Sequence, residues 1–126
     1  MRILLDTVTF IWAVASPGRL SKKAMSALQS ERAVRELSAI SLSELAIKQA
    51  IGKLDFRRED ALAGIADLQV RILPYTAEHA YQLFSLPYHH SDPFDRQIIA
   101  QALSEKIPVV TSDEKFSLYQ GLKIIW

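Results

Sequence analysis

The side chains best placed to do chemistry are carboxylates. In Ser91-Asp92-Pro93-Phe94-Asp95-Arg96 two aspartates stand three residues apart around a proline, and Asp6, Glu44 and Asp113 each follow shortly after an apolar run. Cysteine is absent, which removes disulfides, thiolate metal sites and cysteine nucleophiles, and the three histidines show no zinc-type spacing. A donor set made only of oxygens suits a hard divalent ion, Mg2+ or Mn2+. Two unit charges ~4 Å apart repel by ~4 kcal/mol at an effective dielectric near 20. Four such acids brought together must take up protons or bind a cation. Mg2+ keeps several waters and binds through a few carboxylates plus substrate phosphate, so the chemistry indicated is that of phosphate esters.

Each acid also has a plainer reading. Asp92 as N-cap, Pro93 at the first helical position and Asp95 at the third resemble a capping box, with both charges favoured by the helix dipole. The two roles are compatible, because a carboxylate kept ionised at a helix start is a ready cation ligand. Glu44 could be a first-turn glutamate after Ser41 or Ser43, or the i,i+4 partner of Lys48. Asp6 and Asp113 could be turn residues, Asp113 capping Glu114 to Leu118. The adjacent His89 and His90 cannot both face one way, and they read as surface loop residues with a phosphate contact as the alternative. His79 reads as structural. Lys22 with Lys23, Arg57 with Arg58, and Lys48 with Lys53 read as solvated faces.

What must position the acids is an alternation of strands and helices. Ile3-Leu4-Leu5 suits a buried strand, Thr7 to Ala15 a helix stopped by Ser16-Pro17-Gly18, and Ser21 the cap of a second helix. A strand is expected over Glu36 to Ile40 and a helix over Ser41 to Lys53, with Glu44 in its first turn and Gly52 near its end. Further helices are expected over Glu59 to Leu68, Ala77 to Leu86 and from the Asp92-Pro93 start to about Glu105. Val70 to Leu73, Ile107 to Thr111 and Leu122 to Trp126 read as strands. This order predicts an α/β sandwich of three layers around a mostly parallel sheet, since parallel neighbours need helical crossovers. Ligands bind beyond the carboxyl ends of such strands. Asp6, Glu44 and Asp113 fall at that edge, and Asp95 reaches it if its helix points there.

A chain of 126 residues is expected to form one domain, residues 1–126, and 49% apolar with 23% charged residues is a globular composition. A net charge of +1 advertises no general affinity for nucleic acid. The start imitates a signal peptide, but Asp6 interrupts it, leaving Phe10 to Ala15 as the continuous apolar run. A soluble cytoplasmic protein with no membrane partner is expected.

Taken together, Leu4-Leu5-Asp6-Thr7, Ser43-Glu44 on a helix ending Gly52-Lys53-Leu54, Leu86-Pro87 and His89-His90 before Asp92-Pro93-Phe94-Asp95-Arg96, and Thr111-Ser112-Asp113 resemble a PIN-domain ribonuclease. Specifically, the chain resembles the VapC toxins of bacterial toxin-antitoxin pairs, over nearly its full length. The resemblance implies a Mg2+- or Mn2+-dependent endoribonuclease in which Asp6, Glu44, Asp95 and Asp113 match the acidic quartet. It also implies in-line attack of water on phosphorus, leaving 5′-phosphate and 3′-hydroxyl ends, with an RNA substrate, a cognate antitoxin and a homodimer. Relatives often carry His or Asn two residues after the first aspartate, where this chain has Val8. Phe10, Ile11 and Trp12 could receive an antitoxin helix, or pack in the core. The competing reading is a receiver-like signalling domain that takes a phosphoryl group on an aspartate with Mg2+. Asp6 standing alone after the first strand speaks against it.

Overall fold

Ile3, Leu4 and Leu5 are all fully buried, which a strand achieves only when both faces of its sheet are covered. The computed structural model describes all 126 residues, and in it β1 (Arg2–Leu5) is the central strand of a five-stranded sheet. The other strands are β2 (Val34–Ser38), β3 (Arg71–Leu73), β4 (Val109–Val110) and β5 (Ile124–Ile125), in the order β3-β2-β1-β4-β5. Every pairing is parallel, Leu5 facing Leu37 on one side and Val110 on the other. The fold is the expected three-layer sandwich, and its sheet is wholly rather than mostly parallel. A receiver-like module would run 2-1-3-4-5, so the strand order removes that alternative.

Alternate residues of β1 serve the two layers. Ile3 and Leu5 join one core with Phe10 from α1 (Thr7–Ala15), Ala24 and Leu28 from α2 (Lys22–Gln29), and Leu45 from α3 (Ala39–Ala50). Ala61 of α4 (Arg58–Asp67) closes that layer, with Gly64 at the contact: a Cβ there would lie 2.5 Å from Val14 Cγ2, so only glycine lets α4 approach α1 this closely. Leu4 joins the second core with Ile98, Ile99 and Ala102 of α6 (Pro93–Glu105) and Leu86 after α5 (Ala77–Phe84). Ile98 and Ile99 are fully buried, each worth ~1.5–3 kcal/mol. Phe10 thus belongs to the core, while Ile11 and Trp12 are half-buried and Trp12 meets Trp126 and Arg19.

Most helix starts fall where the capping residues place them. Asp6, Ser21 and Asp92 each cap with their side chains, accepting from Thr9, Ala24, and Phe94 with Asp95. The β2–α3 junction differs from expectation. The strand ends at Ser38 and α3 begins at Ala39, because Ser38, not a later serine, accepts the Ile40 N–H and donates to Gln101 Oε1. Glu44 consequently lies in the second turn of α3, not the first, and is not a capping glutamate. The helix α5 is also shorter than expected, with Ser85 as its C-cap.

Behind the sheet, His79 acts as the structural residue its position suggested. Its Nδ1 accepts from the Thr76 N–H at 3.0 Å and its Nε2 lies 2.9 Å from Glu105 Oε2, while Arg2 bridges Glu105 and Glu36. Gln101 donates to Pro74 O at 3.2 Å, so α6 is fixed to α5 and the sheet by satisfied polar contacts as well as packing.

Candidate metal centre

The strand order reverses at β1: the chain steps outward through β2 and β3, then returns to the other side of β1 as β4. Ligand sites in parallel sheets form at such a switch point. Asp6 leaves the end of β1 and Thr111 the end of β4, and the two are joined by a 2.6 Å hydrogen bond from Thr111 Oγ1 to Asp6 Oδ2. Asp6 Oδ1 accepts from the Thr9 N–H at 2.8 Å, and Thr9 Oγ1 donates to Val110 O at 2.8 Å. Both carboxylate oxygens are therefore aimed by the backbone and by a strand 105 residues away. With only 4% of Asp6 exposed, burial pushes its carboxyl above the usual range, against the pull of the Thr111 and Thr9 hydrogen bonds.

Glu44 projects from α3 with one oxygen, Oε2, 2.7 Å from Lys48 Nζ, while Oε1 is buried without a partner. Lys48, though half-exposed, is thus more than a solvated charge: the i,i+4 pairing forms, and the carboxylate it holds is almost fully enclosed. Asp113 caps the 3-10 turn Glu114–Leu118, its Oδ1 accepting from the Lys115 N–H and its own N–H donating to Thr111 Oγ1.

Asp92 and Asp95 separate clearly. Asp92 Oδ1 accepts from the N–H groups of Phe94 and Asp95, so it is the helix cap. Asp95 sends no bond back to complete a capping box, and its Oδ2 lies 3.7 Å from His90 Nε2. Burial, and after it the charges of Asp92, Glu44, Asp6 and Asp113, push its carboxyl up to about 7. The acids whose charges reach Asp95 come from four different elements.

They are not a ready-made cage, since no three His, Asp or Glu side chains are grouped closely enough to hold an ion. The electrostatics and this geometry agree once Lys48 is considered, because its ammonium neutralises Glu44 in place and half-satisfies it. The donors nonetheless fit Mg2+ or Mn2+: all are oxygens, Glu44 Oε1 is an orphaned acceptor, and Mg2+ needs only one or two direct carboxylates plus waters. Asp6, Glu44, Asp95 and Asp113 are the residues that would share it.

A PIN-domain family model matches residues 3–122. The chain belongs to the PIN-domain family. Solved structures agree on the fold. A chain of VapBC2 from Rickettsia felis, solved with a DNA fragment from their promoter, is 17% identical with a TM-score of 0.74, covering 98% of this PIN domain and 97% of that chain. DNA-bound VapBC from Salmonella typhimurium gives 18% identity and 0.69, covering 98% and 96%. VapBC-5 of Mycobacterium tuberculosis, described as a member of a family of toxin-antitoxin systems, gives 22% and 0.65, covering 98% and 97%. No curated protein matches significantly.

His90 departs from its expected place. His89 is exposed, but His90 is enclosed, with Nδ1 2.6 Å from Tyr119 Oη and Nε2 3.7 Å from Asp95 Oδ2. The sequence signal was only the histidine pair just before the Asp-Pro-Phe-Asp run; the partner lies 29 residues further on. The i,i+4 pairing of Glu44 with Lys48, one of the readings its spacing offered, is formed, but that spacing does not reveal that Glu44 is buried. Two larger cavities, about 600 Å3 beside α2 and about 430 Å3 between α3 and α4, lie away from the carboxylates. No helix is long and apolar enough to cross a membrane.

Proposed function

We propose that this PIN domain is a Mg2+- or Mn2+-dependent endoribonuclease, the toxin of a toxin-antitoxin pair held inactive by a cognate antitoxin. The observation that carries the reading is the crowding of Asp95 by Asp92, Glu44, Asp6 and Asp113, which burial and repulsion would hold part-protonated until a cation arrives. When bound, the divalent ion supplies charge for the phosphate oxygens and orients water for in-line attack. The chain's own residues do the aiming. Thr111 and the Thr9 N–H fix both oxygens of Asp6, and the Asp92 cap fixes the turn carrying Asp95. Lys48 holds Glu44 and stands near Asp92 and Asp95, where its ammonium can meet a substrate phosphate once the acids are neutralised. Water adds to phosphorus as the 3′-oxygen leaves with a proton, giving 5′-phosphate and 3′-hydroxyl ends. The family resemblance also supports a single domain, a homodimer and a cytoplasmic setting.

The test uses purified protein freed of any antitoxin, with single-stranded RNA and either Mg2+, Mn2+ or EDTA. Cleavage with either metal, none with EDTA, and loss in Asp6→Asn are expected. Metal-independent cleavage, or full activity in Asp6→Asn, would contradict the assignment.

A further inference from the structure

His90 is an enclosed ring whose hydrogen-bonding state can be read from its neighbours. Arg96 donates through Nη1 to Pro87 O at 2.8 Å and to Tyr119 Oη at 3.3 Å. A guanidinium cannot accept, so at that contact Tyr119 oxygen is the acceptor. Tyr119 is 2% exposed, and its own hydroxyl hydrogen has one place to go, His90 Nδ1 at 2.6 Å. Were Nδ1 protonated instead, both the tyrosine hydrogen and the bare Nε2 would be buried unpaired, against the single unpaired Nε2–H of the other tautomer, so the cost of unpaired buried groups favours the latter. The proton of the neutral ring therefore sits on Nε2. That nitrogen is buried with no partner, in a side chain 7% exposed, and the nearest acceptor is Asp95 Oδ2 at 3.7 Å.

We propose that His90 is the positioning residue of Asp95, its Nε2–H closing onto Oδ2 under the direction of the Arg96–Tyr119 hydrogen-bond chain. The closure needs less than 1 Å of movement to reach ordinary N–H···O range from 3.7 Å. It leaves Oδ1 as the oxygen turned to the other acids, and it is the kind of outer contact that orients ligating carboxylates. Asp92 already fixes the backbone of Asp95 through its N–H. His90 fixes the remaining freedom, the side-chain torsion. The inference rests on the reading of Asp95 as a metal ligand.

Glutamine and asparagine separate the roles of the two ring nitrogens. The amide of His90→Gln reaches about where Nε2 stands, whereas that of His90→Asn reaches only to Nδ1. Calorimetric titration with Mn2+ alone should find His90→Gln within about twofold of the unmodified protein and His90→Asn about tenfold weaker, at equal melting temperatures. Nitrogen NMR of the ring should show Nε2 protonated and Nδ1 bare, and Tyr119→Phe should populate the other tautomer. Equal Mn2+ affinity in all three proteins, an Nδ1–H tautomer in the unmodified protein, or equal losses in both variants alongside lowered melting temperatures would each overturn the proposal. If the unmodified protein binds no Mn2+, the metal reading fails, and the relay is still decided by the tautomer measurement.

Discussion

Replacing Asp95 by Asn should stabilise the metal-free protein, and the gain should depend on pH. The carboxyl is moved from 3.8 to about 7, first by burial and then by Asp92, Glu44, Asp6 and Asp113. The folded state therefore binds a proton more tightly than the unfolded chain does. Below the unfolded value both states are protonated and nothing is lost; as pH rises through the interval the fold loses stability, and above about 7 the loss is complete. One pKa unit is worth ~1.4 kcal/mol, so the ceiling is ~4 kcal/mol. The side chain retains 18% exposure, and solvent screening brings a fair figure nearer ~2 kcal/mol. For a domain of this size that is roughly 6–10 °C in melting temperature. Thermal unfolding in EDTA should show Asp95→Asn melting higher than the unmodified protein at pH 8 and alongside it at pH 4. Saturating Mn2+ should raise the unmodified protein and leave the variant where it was. A variant that melts at or below the unmodified protein at pH 8, with a difference flat in pH, would show that the acids do not crowd Asp95.

Two further substitutions probe the supports of the same cluster. Lys48→Met leaves the Glu44 carboxylate enclosed without its counter-ion; the half-exposed lysine limits the loss to ~1–2 kcal/mol, and Mn2+ should recover more melting temperature in this variant than in the parent. Thr111→Val removes the hydroxyl that donates to Asp6 Oδ2 at 2.6 Å and that accepts the Asp113 N–H, and should cost ~1–3 kcal/mol by denaturant unfolding and reduce RNA cleavage.

The parts of this architecture visible in the sequence are those governed by neighbours in the chain. Ser21 and Asp92-Pro93 announce their helices because a cap needs only the next two or three residues, and Asp6, whose plainer reading was a turn residue, caps α1 in the same local way. The run Ser38-Ala39-Ile40-Ser41-Leu42-Ser43 offers three caps, and the choice among them was made by Gln101, across the core. The two-residue shift that follows moves Glu44 from the first to the second turn, where its charge still acts on Asp95. His90 was misplaced for the same reason: adjacency in the chain is local, whereas Tyr119, brought in from 29 residues further on, encloses the ring.

The position of β1 also bears on the life of the chain before it is finished. On one side β1 is flanked by β2, but on the other it waits for β4, and Thr111 and Asp113 follow immediately after. A nascent chain that has already made Asp6, Glu44 and Asp95 still lacks the strand that closes the switch point and the hydroxyl that aims Asp6. Such a long-range pairing forms late. Asp6 is fully aimed only once β4 and Thr111 have left the ribosome.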